Sequence, residues 1–149
     1  MSDDLPDWAR DLALIRHPEG GWFAETYRSD VIIPKDALPQ GYSSERVAGT
    51  LIYFLLLPGE RSAWHVVRGA ELWLYHRGAP VLLELGGGGR QPGDPTPVVV
   101  GPDVANGQRP QGLVPPGIWQ RARPLGDEPA LVSCVVLPGF DFADFRLAD

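Results

Sequence analysis

The sequence predicts an all-β barrel or sandwich, on three observations. Eighteen glycines and sixteen prolines punctuate the 149 residues, and both residue types are depleted in helix interiors and central strands. Between them lie short runs rich in Val, Leu, Ile, Phe, Tyr and Trp, which suit a pleated, half-buried surface. Helical spacing is best developed at residues 7–15, where Trp8, Leu12 and Ile15 recur on one face.

That first segment is expected to form a short N-terminal helix, capped by Asp7 and broken by His17-Pro18-Glu19-Gly20-Gly21. Residues 22–29 alternate and read as a strand, whereas 30–46 are polar, contain proline and read as a loop. Residues 47–57 are apolar on both faces, as a strand lining a barrel interior would be. Pro58-Gly59-Glu60-Arg61 makes a turn, and strands are expected at 62–67, 71–77 and 80–85. The glycine-rich stretch 86–97 is too short for a linker and is flanked by strand-like runs, so it reads as a hairpin tip. It lacks a following Lys-Ser/Thr and a helix, which rules out a phosphate loop. A short strand at 98–100 and a loop at 101–111 precede strands at 118–123 and 130–137. The tail 140–147 repeats Phe140, Phe142 and Phe145 and is expected to dock against the body. Neither a repeat nor a boundary divides the chain, so a single domain over 1–149 is expected.

Charge and cysteine content narrow the functional classes. Net charge is −6 and Lys35 is the only lysine. No basic stripe is available to neutralise phosphates, so a nucleic-acid partner is not expected. The lone Cys134 rules out an intrachain disulfide and fits a reducing compartment. The acidic opening lacks signal-peptide features, and the longest apolar run is far short of a bilayer span. A cytoplasmic protein without a membrane partner is the expectation.

Two motifs then line up. Gly59, His65, Val67, Glu71 and Gly78 stand at the spacing of G-x5-H-x-H-x3-E-x6-G, with Val67 in place of the second His. Downstream, Pro115-Pro116-Gly117-Ile118-Trp119-Gln120 resembles P-x-G-x2-H, with Gln120 in place of the His. Together they resemble the motifs of the cupin superfamily. A narrower resemblance runs through His17-Pro18-Glu19-Gly20-Gly21-Trp22-Phe23, Glu25-Thr26-Tyr27-Arg28-Ser29, Glu71-Leu72-Trp73 and Pro138-Gly139-Phe140-Asp141-Phe142. It is similar to a single-domain cupin family of unknown function. The resemblance implies a jelly-roll-like β-barrel of two antiparallel sheets, a small-molecule pocket and a homodimer.

Strand alternation places the candidate site. If His65 points into the barrel, so does Val67; Glu71, Trp73 and Tyr75 share a face of the next strand, and Gln120 faces inward from a later one. The set offers an imidazole, a carboxylate, a phenol, an amide and an indole wall, as small-molecule sites often do. Among cupins, metal-independent epimerases pair a His base with a Tyr acid. By that resemblance His65 would be the catalytic base, Tyr75 or Tyr27 the acid, and Glu71 would orient His65. Trp73, Gln120, Arg28 and Thr26 are the expected ligand-binding residues. With imidazoles missing at Val67 and Gln120, no metal cofactor is expected; any metal would rest on His65, Glu71 and Gln120. His17 reads as a turn residue, His76 as outward-facing, and Cys134 as an unreactive core thiol. Three readings follow: a metal-independent isomerase or epimerase on a sugar-like or nucleotide-sugar ligand, a non-catalytic ligand-binding or sensing protein, and a metal-dependent enzyme with a degenerate site.

Overall fold

The structure is a computed structural model that describes residues 4–149; the opening Met1, Ser2 and Asp3 lies outside them. In chain order the strands are β1 (Ile15–Arg16), β2 (Trp22–Arg28), β3 (Ile32–Ile33), β4 (Arg46–Val47), β5 (Thr50–Leu56), β6 (His65–Val67) and β7 (Ala70–Gly78). They continue with β8 (Val81–Leu85), β9 (Thr96–Val100), β10 (Gln111–Val114), β11 (Gln120–Pro124), β12 (Ala130–Leu137) and β13 (Phe145–Leu147). A six-stranded sheet has the order β1-β2-β5-β12-β7-β10 and a five-stranded sheet the order β13-β6-β11-β8-β9; β3 and β4 form a separate pair. All these pairings are antiparallel. The expected barrel of two antiparallel sheets is therefore what the chain forms.

Side chains of both sheets meet in one core. Phe54, Trp73, Val132 and Cys134 come from the six-stranded sheet, and Val81, Leu83, Val100 and Ala122 from the other. The strand expected to be apolar on both faces is so because it serves two cores. Phe54 and Leu56 face the barrel interior, while Leu55 turns outward to a second cluster with Leu5, Ala9, Leu14, Trp22 and Leu131.

The expected N-terminal helix is corrected to a 3-10 turn at Asp7–Leu12. Asp7 does not cap it: the N-cap is Pro6, without a side-chain cap, and Asp7 instead accepts a hydrogen bond from Arg10 at 3.1 Å. Ala13 follows in the left-handed region at φ 58, which ends the turn. Six residues give too few hydrogen bonds to sustain an α-helix, so packing of Ala9 against the sheet decides the shape. No helix among the described residues is long and apolar enough to cross a membrane.

The hairpin tip, expected at 86–97, spans 86–95 and joins β8 to β9, whose register runs from Val81↔Val100 to Leu85↔Thr96. The aromatic tail docks as expected, and β13 adds itself to the edge of β6. This covers a row of backbone groups that would otherwise stand open.

Candidate functional site

A cavity of about 250 Å³ opens between the sheets. Its inner end is set by Glu71 of β7, Cys134 of β12 and Val67 of β6, all buried, together with His17 and Glu19. Its outer end is marked by the exposed Glu25, Arg28, Asp141 and Phe142. Phe23, Phe140 and Phe145 complete an aromatic wall.

The loop before β2 carries His17 and Glu19 into this space because Gly20 and Gly21 allow a tight reversal. Both glycines have positive φ, 103 and 80, and a Cβ on Gly20 would stand 2.6 Å from the Arg61 carbonyl oxygen. The expectation that His17 fixes a turn holds, since its Nδ1 accepts from the Glu19 backbone N–H at 3.1 Å. It also lines the cavity, with its ring 4.6 Å from that of Phe23. Accepting at Nδ1 leaves the ring proton of the neutral form on Nε2. Burial lowers the pKa of His17 and the neighbouring His65 adds to this, against the pull of Glu19.

Glu19 joins two histidines. One oxygen lies 3.4 Å from His17 Nδ1 and the other 3.0 Å from His65 Nδ1. The His65 Nδ1–H also faces the Ala63 carbonyl at 2.8 Å. One hydrogen cannot align with both acceptors, and the carbonyl has the better geometry. Glu19 Oε2 is consequently buried with an electrostatic partner but no hydrogen-bond donor. Burial acts to lower the His65 pKa; the attraction of Glu19, with smaller help from Glu71 and the Ala63 carbonyl, outweighs it and raises the value to about 9. His65 is thus the cationic half of a buried ion pair.

Glu71 is held from the opposite side. Trp73 Nε1 donates to Gln120 Oε1 at 2.9 Å, and Gln120 Nε2 donates to Glu71 Oε1 at 2.8 Å. Gln120, where the cupin motif places an imidazole, is therefore a relay that fixes a carboxyl group. Burial and the nearby Glu19 charge raise Glu71 to about 7, against the opposing effects of His65, Gln120 and Cys134. Cys134 lies beside this carboxyl group, and burial pushes its thiol well up, in keeping with an unreactive core cysteine.

Of the expected site residues, Glu71 and Arg28 line the cavity, while His65 and Gln120 are buried behind it against Glu19 and Glu71. Three others are not among the residues that line it. Tyr75 shares the inward face of β7 with Glu71 but lies four residues further along, about 13 Å at about 3.3 Å per residue. Its hydroxyl donates to the Gly78 carbonyl at 2.7 Å, away from the cavity. Trp73 is a core residue, 1% exposed and edge-on to Phe54, and reaches the site only through its indole N–H. Thr26 is the extra residue of a β-bulge. Glu25 pairs with Ile52 and Tyr27 with Leu51, leaving Thr26 unpaired and exposed, its hydroxyl on the Leu51 carbonyl. The bulge changes the parity of the strand, so Glu25 and Arg28 share the cavity face. Arg28 accordingly binds both Glu25 carboxylate oxygens, at 2.9 and 3.0 Å. His76 points elsewhere, with Nε2 2.6 Å from Ser133 Oγ.

Sequence reasoning missed Glu19, His17 and the tail phenylalanines as site residues. The adjacent Gly20-Gly21 was the available signal, since such a pair beside a strand allows the preceding residues to fold inward. The tail is pinned by a buried pair: Arg46 binds both carboxylate oxygens of Asp144 at 2.8 and 2.9 Å, and each side chain is 3% exposed.

The donor set is a poor fit to a transition metal. Gln120 has committed both ends of its amide, and Val67 offers no donor atom. Among the described residues, no group of three or more His, Cys, Asp and Glu side chains is placed to hold a metal ion.

Residues 6–148 match the model of a family described as Cupin superfamily (DUF985). An uncharacterised protein of Saccharomyces cerevisiae is 32% identical over 150 aligned positions, covering 94% of this chain and 73% of the yeast protein. A crystal structure of a Shewanella oneidensis protein is similar at 35% identity and TM-score 0.79, covering 95% of this chain and 82% of that one. A hypothetical protein of Leishmania major is similar at 33% identity and TM-score 0.80, covering 93% and 84%.

Proposed function

The chain belongs to this cupin family, and from the cavity that its barrel encloses we propose that it binds a small polar molecule and moves a proton on it without a metal, as an isomerase or epimerase does. One observation carries the reading: the buried Glu71 carboxyl group at the inner end of the cavity, raised to about 7 and held in place by Gln120. A carboxyl group in that range exchanges a proton at neutral pH, where an ordinary carboxylate is too weak a base.

The chemistry assigned to the residues differs from the pairing of His65 with a tyrosine that the family resemblance implied. Glu71 takes the proton from a carbon beside a carbonyl group and returns it, on the same face for an isomer shift or by way of solvent for inversion. Gln120 keeps one carboxyl oxygen occupied, so the other is the exchanging atom. The neutral His17 offers its Nε2–H to negative charge developing on the ligand. Glu19 and His65 form a fixed ion pair behind these groups and set the local potential.

Deuterium exchange tests the reading. Full-length protein is incubated in D2O with a panel of small ketoses, aldoses and amino sugars, and loss of ligand C–H signals is followed by NMR. Exchange that disappears in Glu71→Gln is the expected result. Binding without exchange for every ligand found would leave only a binding protein.

A further inference from the structure

We propose that the ligand is a small organic cation, whose protonated amine donates to Glu19 at the inner end while its carbon body packs among Phe23, Phe142 and Phe145. The inference rests on the reading above that this cavity is the ligand site, and it adds the ligand's chemical class.

The first ground is Glu19 Oε2. The side chain is nine-tenths buried and lines the cavity, yet this oxygen meets no hydrogen-bond donor. The one nearby N–H, on His65, is turned to the Ala63 carbonyl. With the His65 charge at 3.0 Å but no aligned donor, the Glu19 carboxylate gains one when an ammonium group meets the side of it that lines the cavity. An ammonium group brings three donors and no acceptor.

The second ground is the charge of the lining. Glu19, Glu25, Glu71 and Asp141 all border the cavity, whereas Arg28 is its one arginine or lysine among the described residues. Arg28 is already bound to both oxygens of Glu25 and to the Phe140 carbonyl. His65 is spoken for by Glu19, and burial favours the uncharged form of His17. With the Glu19–His65 and Glu25–Arg28 charges paired off, a phosphate or carboxylate ligand would meet Glu71 and Asp141 and no free cation. This points away from the nucleotide-sugar ligand considered from sequence, and so does the size, since about 250 Å³ is below the usual range for drug-sized ligands.

The third ground is the wall. Phe140 and Phe142 have ring centroids 4.8 Å apart, and Phe142 and Phe145 5.8 Å apart. Clustered ring faces beside carboxylates attract a cation that still has an apolar body. A neutral polyol would use the carboxylates but gain less from these rings.

Three probes sharing one body separate the classes: cyclohexylamine, cyclohexanol and cyclohexanecarboxylate, titrated calorimetrically into the full-length protein near neutral pH. The amine is expected to bind at least about tenfold tighter than the alcohol, with the carboxylate weakest. In Glu19→Gln the amine's advantage should fall about tenfold while alcohol binding stays within about twofold. The ranking in the unaltered protein stands even if that variant folds poorly. Equal binding of amine and alcohol, or strongest binding of the carboxylate, would overturn the cation inference and leave the proton-transfer reading untouched. Failure of all three to bind at millimolar concentration would also overturn it, while proton transfer keeps its separate test in deuterium exchange.

Discussion

Glu71 and Tyr75 stand on the same face of β7, yet one ends in a cavity and the other in a core. At the first end of the barrel, Glu19, His65 and Glu71 put ionisable groups out of water, and each is held by a partner. At the other end, Tyr75 packs against a cluster that includes Val81, Leu83 and Val132, with its one polar atom satisfied locally by Gly78. Alternation fixes which face a side chain takes; depth along the barrel decides whether that face meets ligand or packed carbon. The two ends should therefore respond differently to small chemical changes.

The largest expected effect belongs to the polar end. Glu71→Gln keeps shape and an oxygen for the Gln120 N–H, so the fold should survive with melting temperature little changed. Proton exchange into a bound ligand should fall by about 10²–10⁴, the usual share of acid–base catalysis. A rate unchanged by this substitution would remove Glu71 from the chemistry.

Next come two substitutions of similar cost and opposite consequence. Asp144→Ala strands the buried Arg46 and should cost about 3–5 kcal/mol. It should also weaken ligand binding, because the tail that it pins supplies Phe142 and Phe145 to the cavity. Leu83→Ala, in the packed interior, should cost about 2–5 kcal/mol and leave ligand affinity unaltered well below the melting temperature. Denaturant unfolding gives the first quantity and calorimetric titration the second. Equal losses of affinity in both variants would mean that the two ends are not independent.

A smaller effect should appear in the pH dependence of stability. His65, raised to about 9, faces Glu19, Glu71, His17 and the Ala63 carbonyl. Its folded pKa lies above the unfolded value of about 6.5, so its contribution is full below that value and is lost as pH rises through 9. Glu71, raised to about 7, acts in the same direction at lower pH, its contribution lost as pH rises through 7. His17 is lowered, so its contribution is lost instead on acidification. Cys134, pushed up, adds a further loss only above about 8.5. Between about 7 and 8.5 the decline belongs mainly to His65. The melting temperature should fall across that window in the unaltered protein and less steeply in His65→Gln, where Glu71, freed of the His65 charge, supplies what decline remains. A flat profile in both would show that the Glu19–His65 pair is not charged as described.

The fold was legible because it rests on local patterns. Gly/Pro punctuation, two-faced apolar runs and the spacing from Gly59 to Gly78 are all written along the chain. Of the candidate site, strict alternation grouped His65, Glu71 and Gln120 on inward faces, and of these Glu71 alone borders the cavity. Thr26 was misplaced because a bulge inserts one residue without any mark in composition, and the same bulge aligned Glu25 with Arg28. Glu19 was missed because it lies on a loop, where no periodicity assigns a direction. The short helix failed because a segment of that length follows its contacts rather than its spacing.

The smallest effect is the one that separates face from depth. Tyr75→Phe removes one hydroxyl, which donates to the Gly78 carbonyl at 2.7 Å, and leaves the ring packed against the core. The loss in stability should be about 1 kcal/mol, the net worth of an ordinary hydrogen bond. The rate of proton exchange should stay within about twofold, because position 75 lies about 13 Å along the strand from Glu71 and its hydroxyl is held by Gly78, outside the cavity. At that separation, with no shared partner, the stability changes of Tyr75→Phe and Glu71→Gln should add to within about 0.5 kcal/mol in the double variant. If the phenol instead supplied the opposing proton, Tyr75→Phe alone would slow exchange by about 10²–10⁴, and the two rate losses would be less than additive. A tenfold slowing at unchanged stability would therefore bring the phenol into the cavity and end the distinction between the two halves of β7.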